Sequence, residues 1–419
     1  MSDLIGRADF FKRLFVLGLS GASVPALYAS VDNEKKADEI PEASVPFAFL
    51  TKPYLQFPAP DAMTVMWITD KPCFSWVEYG ENGIQEKAFM ETIGLYQAQN
   101  RIHKIRLENL KPDTKYSYRV CSKEIVDFEP YHVTFGQTLE SETYSFTTHS
   151  VSDKEFSFLI MNDIHDKPET IPFLLNLNKK NPYDLICFNG DIMNHLDGES
   201  QIIENLIQPC TDTFASAKPF LYIRGNHETR GIFARHLYDY LDTGETPYYS
   251  FSRGSAFFIV LDSGEDKPDD DKEYSGLVSF DNYRRKQALW LERQLLSKAA
   301  IQARFRIVLM HIPPYCSDDW HGTRHCRELF GPLFNKYKVD MLIAGHTHCC
   351  GVFKPGEGDP AEGERKFPVI IGGGPREGDR TLIQVHVTGK TLDLTVLKDS
   401  GEVFANYQIK HRGVSECTI

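Results

Sequence analysis

The spacing of apolar and polar positions divides this chain into two kinds of sequence. From about residue 46 to 149 the apolar residues alternate, as in Met63-Thr64-Val65-Met66-Trp67-Ile68, Trp76-Val77-Glu78-Tyr79, His103-Lys104-Ile105-Arg106-Leu107, Tyr116-Ser117-Tyr118-Arg119-Val120 and Tyr144-Ser145-Phe146-Thr147-Thr148. Alternation sends successive side chains to opposite faces of a strand. Turn segments such as Lys111-Pro112-Asp113-Thr114 separate the runs, so this region is predicted to be a β-sandwich.

Beyond residue 150 the apolar runs become continuous: Phe156 to Met161, Asp184 to Phe188, Pro219 to Ile223, Phe305 to Met310 and Val339 to Ala344. A strand without a polar face is covered on both sides, and with helical stretches between the runs this predicts an α/β fold. Leu289, Trp290, Leu291 and Leu295 recur at helical spacing, which predicts a helix over Gln287 to Leu296 with Trp290 in the core. Strands at Thr381 to His386, Thr391 to Leu397 and Phe404 to Ile409 are expected to close a second sheet.

At 419 residues the chain has room for two to three domains, and 42% hydrophobic with 25% charged residues is ordinary globular composition. A formal charge of −12 argues against nucleic acid or an anionic membrane surface as partner. The N-terminus changes the picture. Charged residues from Arg7 to Arg13, the apolar Leu14 to Leu19 and small residues from Pro25 to Ser30 read as a signal peptide over 1–29, with a polar linker over 30–45. Arg7 to Lys12 resembles a twin-arginine export signal that has lost one arginine. No other segment is long and apolar enough to span a bilayer, so the expected location is the periplasm or the outside of the cell. Nine cysteines is an odd number without regular spacing; Cys73 and Cys121 are a candidate bridge, and Cys349 and Cys350 are expected to be packed, not ligands.

The candidate chemistry lies where the continuous runs stop. They end in Asn162-Asp163-Ile164-His165, Asn189-Gly190-Asp191, Arg224-Gly225-Asn226-His227-Glu228, His311 and Gly345-His346-Thr347-His348. Strand ends are where α/β proteins keep their sites. Each residue alone has a plain structural role, since Asp after a strand caps or turns and Gly-Asn makes tight turns. Together, mixed imidazole, carboxylate and amide donors suit Mn, Fe or Zn over Ca.

The order Asp-x-His, Gly-Asp, Gly-Asn-His-Glu, His, Gly-His-x-His resembles the calcineurin-like metallophosphoesterase superfamily. With the sandwich in front, whose Leu107 to Tyr118 echoes a fibronectin type III-like module, the chain is most similar to the purple acid phosphatase-like branch. The resemblance implies a fibronectin type III-like domain over 46–149, an α/β metallophosphoesterase sandwich of two mixed β-sheets flanked by helices over 150–412, and a tail over 413–419. It also implies two divalent or mixed-valence ions of Fe, Mn or Zn that share Asp191. Asp163, His165 and His348 would complete one site, and Asn226, His311 and His346 the other. The implied activity is phosphomonoester hydrolysis on a small phosphoester substrate, by in-line attack of a metal-bound hydroxide with His227 protonating the leaving group. A phosphodiesterase using the same centre is the alternative. A non-catalytic surface binding protein would be expected to have lost ligands, and none is lost.

Two features depart from the purple enzymes, which resemble Asp-x-Gly in the first block and Gly-Asp-x-x-Tyr in the second. Here His165 occupies the first and Asn194 the tyrosine position, so the protein is expected to be colourless. Substrate contacts are expected from Asn194 and from Arg324 or His325 in the segment Trp320 to His325. The acidic stretch Glu265 to Glu273 is expected to be a solvated insertion.

Overall fold

The computed structural model describes residues 46–153, 155–179 and 181–411. The expected signal peptide and linker (1–45) and the tail lie outside the described residues. The alternating half folds as strands Tyr54–Ala59, Ala62–Gly80, Asn100–Leu107, Lys115–Glu129, His132–Glu140 and Tyr144–Thr147. Ala62–Gly80 pairs with Asn100–Leu107 along its first half and with Lys115–Glu129 along its second. Its inward residues Val65, Trp67 and Val77 pack with Ile105, Leu107, Tyr118, Val120 and Phe146. Trp67 is wholly buried, and its indole N–H donates to Ser122 Oγ at 3.0 Å.

The candidate Cys73–Cys121 bridge does not form; both are free and buried. They lie on paired strands, but Cys73 faces Glu124 and Cys121 faces Trp76. An offset of three positions separates them by about 10 Å along the strand and places them on opposite faces, beyond the reach of a disulfide.

In the second half, Glu155–Met161, Leu185–Asn189 and Phe220–Ile223 are parallel neighbours in one sheet. The facing sheet runs in the order Tyr249–Arg253, Ala256–Val260, Phe305–Leu309, Met341–Ala344, Val369–Ile371, Gly351–Phe353. Phe158, Ile160, Cys187 and Leu221 of the first sheet meet Phe258, Ile307, Leu309 and Ile343 of the second. Helices cover the outer faces: Ile171 and Leu174 pack on Leu159, Ile186 and Phe188, while Leu291, Leu295, Phe330 and Phe334 pack on Ile259, Val308 and Leu342. Covering on both sides is the reason these strands read as unbroken apolar runs.

The C-terminal strands depart from expectation. Thr381–Thr388 pairs antiparallel with Glu155–Met161, and Thr391–Lys398 and Val403–Lys410 extend that same first sheet. Alternation identifies a strand but not its partner, which depends on contacts more than two hundred residues away in the chain. The helix also starts earlier than expected and spans Phe280–Leu295. The Asp269 carboxylate accepts the backbone N–H groups of Phe280 and Asp281 at 2.7 and 3.1 Å, which begins the helix within a polar stretch that carries no apolar period.

The sandwich is joined to the α/β half through Tyr54–Ala59, which pairs in parallel with Phe220–Ile223 at Gln56 and Phe220. Tyr54, Met66 and Ile68 lie in the same buried cluster as Phe188, Ile207 and Phe220. The two regions therefore share one core.

Candidate metal centre

The ligand-bearing loops leave adjacent strand ends and are fastened to one another by backbone hydrogen bonds. The Asp163, His165 and Asp166 amides donate to the carbonyls of Gly190, Asp191 and Ile192 at 2.9–3.0 Å, and Gly345 donates to the His311 carbonyl at 3.0 Å. Asp163, His165, Asp191, His346 and His348 all have φ between +51° and +72°. Such backbone costs of order 1–3 kcal/mol per residue and persists only where the surroundings hold it. Here it folds the side chains back over the sheet ends.

Glycines make room for them. A Cβ at Gly190, whose φ is +82°, would strike the His311 ring, and one at Gly225 would strike the Asp191 carboxylate.

Two sets of ligand atoms result, Asp163, His165, Asp191 and His348 in one and Asp191, His311 and His346 in the other, each set within 4.8 Å of one another. Asn226 Oδ1 lies 2.9 Å from His346 Nδ1 and so joins the second set. Asp191 belongs to both. Asp163, Asp191, Asn226 and His311 are at most 2% exposed, whereas the His348 and His227 side chains are 44% and 27% exposed, so the centre opens to solvent along that edge.

The donor set fits metal ions. His165 Nε2 and His348 Nε2 face each other at 2.9 Å, and His311 Nε2 stands 3.1 Å from Asp191 Oδ2. Asp163 Oδ1 and His311 Nε2 are buried without a hydrogen-bond partner. Buried polar atoms without partners are costly, and an orphaned carboxylate oxygen in one set and an orphaned imidazole nitrogen in the other are donors that cations would satisfy. The two buried carboxylates dominate the electrostatics of the rings around them. Burial works to keep His311 neutral, yet Asp191 outweighs it and pushes His311 up to about 10. Burial likewise opposes ionisation of Asp163, but His165, His348 and His311 hold it well below the usual carboxylate range. Burial, reinforced by His311, draws His346 down to about 4, which keeps a ring nitrogen free as a ligand.

His227 lies beside this set. Its backbone N–H donates to Asp191 Oδ1 at 3.0 Å, its Nδ1 is 3.0 Å from the Asn194 carbonyl, and its Nε2 is 4.0 Å from Asp191 Oδ2.

The residues expected to contact substrate have other partners. Asn194 Oδ1 is 2.9 Å from His165 Nδ1, and its amide donates to Asp166. It orients a ligand ring through the nitrogen turned away from the centre. Arg324 pairs with Asp319 at the surface, and His325 turns toward Asp281. Both sit on the helix His321–Lys336, where the sequence suggested a pocket wall. Glu265, expected in a solvated insertion, is wholly buried against Arg230.

Three residues that serve the centre had no signal of their own. Glu228 is wholly buried and accepts the backbone N–H groups of Asp191, Ile192, Met193 and Gly225 at 2.6–3.1 Å. Asn162 donates to Asp163 Oδ2 at 2.5 Å and to the Gly373 carbonyl at 2.8 Å. Arg230, held by Glu265 through two hydrogen bonds, brings Nη1 to 3.4 Å from His227 Nε2. Asn162 and Glu228 fall within motif blocks and Arg230 lies just beyond one, but a turn asparagine or glutamate is not recognisable as a hydrogen-bonding brace until both loops are placed.

Residues 156–350 match the family model for calcineurin-like phosphoesterases, and residues 51–148 match that for the purple acid phosphatase N-terminal domain. Among curated relatives, purple acid phosphatase 21 of Arabidopsis thaliana is 25% identical over 342 residues, covering 76% of this chain and 70% of the relative. Fe(3+)-Zn(2+) purple acid phosphatase 12 of the same plant is 24% identical over 324 residues, covering 69% and 61%. This chain thus spans somewhat under two thirds of the latter's length. Among solved structures, purple acid phosphatase PPD1 of yellow lupin superposes with a TM-score of 0.62 at 17% identity, covering 85% of this chain and 74% of that one, which is a likeness of fold.

Proposed function

We propose that the chain, with its calcineurin-like phosphoesterase region and purple acid phosphatase N-terminal region, is a metallophosphoesterase of the purple acid phosphatase kind that hydrolyses phosphomonoesters with two metal ions held around Asp191. The observation that carries this reading is the pair of ligand sets sharing one buried carboxylate, with Asp163 Oδ1 and His311 Nε2 left without partners. Asp163, His165 and His348 would hold one ion, and Asn226, His311 and His346 the other. These donors suit iron, manganese or zinc, and one relative is named for Fe(3+) and Zn(2+). When bound, such ions supply Lewis-acid charge to phosphoryl oxygens and bring the pKa of a water to about 7.

The chain's own residues do the rest. His227, with Nδ1 occupied by the Asn194 carbonyl, directs Nε2 toward the centre to protonate the leaving alkoxide. Arg230, braced by buried Glu265, sets a positive charge beside it for the phosphate oxygens. Asn194 stands where the purple enzymes carry tyrosine and holds His165 instead. The iron-loaded protein should accordingly lack a visible charge-transfer band.

Export to the periplasm or beyond rests on the composition of residues 1–29; N-terminal sequencing of the mature protein tests it. No helix among the described residues is long and apolar enough to cross a membrane.

The deciding experiment measures metal content by mass spectrometry together with hydrolysis of a chromogenic phosphomonoester and the matching diester, before and after chelation. Chelator-sensitive monoester hydrolysis is expected. Turnover of the diester alone would replace this reading with a phosphodiesterase, and inactivity after reloading with Mn, Fe and Zn would overturn both.

A further inference from the structure

A second convergence of imidazole and carboxylate lies behind the rim of the centre, between the starts of two packed helices. Asp281 is in the first turn of Phe280–Leu295, and His321 and His325, four residues apart, share one face of the first turns of His321–Lys336. His321 Nε2 is 2.7 Å and His325 Nδ1 3.2 Å from the same oxygen, Asp281 Oδ1. The two rings stack with centroids 5.7 Å apart at 25°, and one ligand atom from each of the three residues lies within 4.8 Å of the others.

Hydrogen bonding alone does not account for this cluster. His321 has a bond to Asp281, but His325, 8% exposed, keeps Nδ1 buried with no hydrogen-bond partner although it is aimed at a carboxylate. A buried ring nitrogen that faces a carboxylate oxygen without a hydrogen bond between them is left unsatisfied by the contact. A cation between them would satisfy both.

We propose that Asp281, His321 and His325 bind a divalent zinc-class ion, separate from the pair around Asp191. Two imidazoles and one carboxylate make a three-ligand set with one position left for water. The His321 and Asp281 side chains, 30% and 24% exposed, leave that position facing solvent. Zinc bonds of 2.0–2.1 Å at tetrahedral angles put ligand atoms about 3.3 Å apart, and the observed separations of 2.7 and 3.2 Å require only small movements. Arg284 opposes the ion with a buried positive charge, its Nη1 lying 3.1 Å from Asp281 Oδ1. That guanidinium also donates to the carbonyls of Ser263 and Glu265, so part of its charge is met elsewhere.

These contacts give the ion a structural role. Arg284 and the Gly322 amide, which donates to the Asp266 carbonyl at 2.7 Å, tie both helix starts to the segment Ser263 to Asp266. Glu265 of that segment holds Arg230 beside His227. An ion joining Asp281 to the two histidines would brace this segment from behind.

The test uses the full chain, stripped by chelation, reloaded with zinc alone and desalted before metal counting by mass spectrometry. Wild type is expected to retain three ions per chain and His321→Ala two, with the zinc-induced rise in melting temperature reduced in the variant. Asp191→Asn, counted in parallel, reports on the paired site separately: one fewer ion in His321→Ala than in wild type supports the new site even if the paired site proves empty. Equal zinc content in wild type and a folded His321→Ala, judged by circular dichroism, overturns the proposal. Should His321→Ala fail to fold, His321→Gln, which retains a donor to Asp281, serves the same comparison.

Discussion

Asp191 accepts from the His227 amide through one oxygen and faces His311 through the other, while its own amide is held by Glu228. A carboxylate fixed on three sides can bridge two ligand sets without reorganising. His227 can be separated from it experimentally. His227→Ala should lower kcat by about 10² to 10⁴ with metal content unchanged, and an unaffected kcat would remove His227 from proton transfer. A second residue makes a prediction far from the centre. His103, 3% exposed in the sandwich, is drawn down to about 3 by burial. Below its ordinary value of 6.5 the unfolded chain takes up a proton that the folded chain refuses. Its contribution is therefore intact above pH 6.5 and is lost as pH falls from there toward 3, by up to about 1.4 kcal/mol per pH unit. Urea midpoints at pH 7, 6 and 5 should fall less steeply in His103→Gln than in wild type. Parallel slopes would assign the acid sensitivity to other groups.

The elements that matter most to the site are loops. The short turn His227–Thr229 carries Glu228, whose carboxylate accepts four backbone amides from two separate strand ends. Each buried amide left unmet costs about 1–3 kcal/mol, so Glu228→Ala should destabilise by several kcal/mol and lose metal. Glu228→Gln, with one acceptor oxygen, should fall between. A variant that melts and binds metal like wild type would show that water replaces the carboxylate. The order of ligands along the chain was legible in the sequence because each follows a run of buried residues whose end is marked by Gly or a polar residue. Glu228, Asn162 and Arg230 were not, because a polar residue in a turn looks the same whether it faces water or a neighbouring loop. Arg324 and His325 were hard to place for a related reason: proximity along the chain to a ligand block says nothing about the direction in which a helix start points, and here they face Asp319 and Asp281.

The molecule as a whole differs from a string of two modules. Tyr54 is wholly buried, and its hydroxyl donates to the Tyr240 carbonyl at 2.9 Å. Tyr118 Oη donates to the Ser216 carbonyl at 2.7 Å, and Thr64 Oγ1 donates to Asp242 at 2.6 Å. With strand pairing at Gln56 and Phe220, the sandwich and the α/β half should unfold together. Calorimetry is expected to give one cooperative transition, and a chain cut at residue 150 should expose Phe220 and Ile207 and aggregate. Two resolved transitions would mean that the shared core contributes little.

What the sequence determined by itself is local: where strands run, which are covered on both faces, and which metal-competent side chains terminate them. These follow from periodicity and from residue type, which are properties of neighbours in the chain. The tertiary structure alone decided which strands pair, so that the C-terminal strands extend the sheet of Asp163 and the first strand of the sandwich joins Phe220–Ile223. It alone decided that Asn194 holds His165, that Glu265 is buried under Arg230, and that His321 and His325 meet Asp281. The physical reason is the same in each case. Hydrogen bonds and ion pairs between residues distant in sequence depend on distance and direction in space, and neither is encoded in the spacing of residues along the chain.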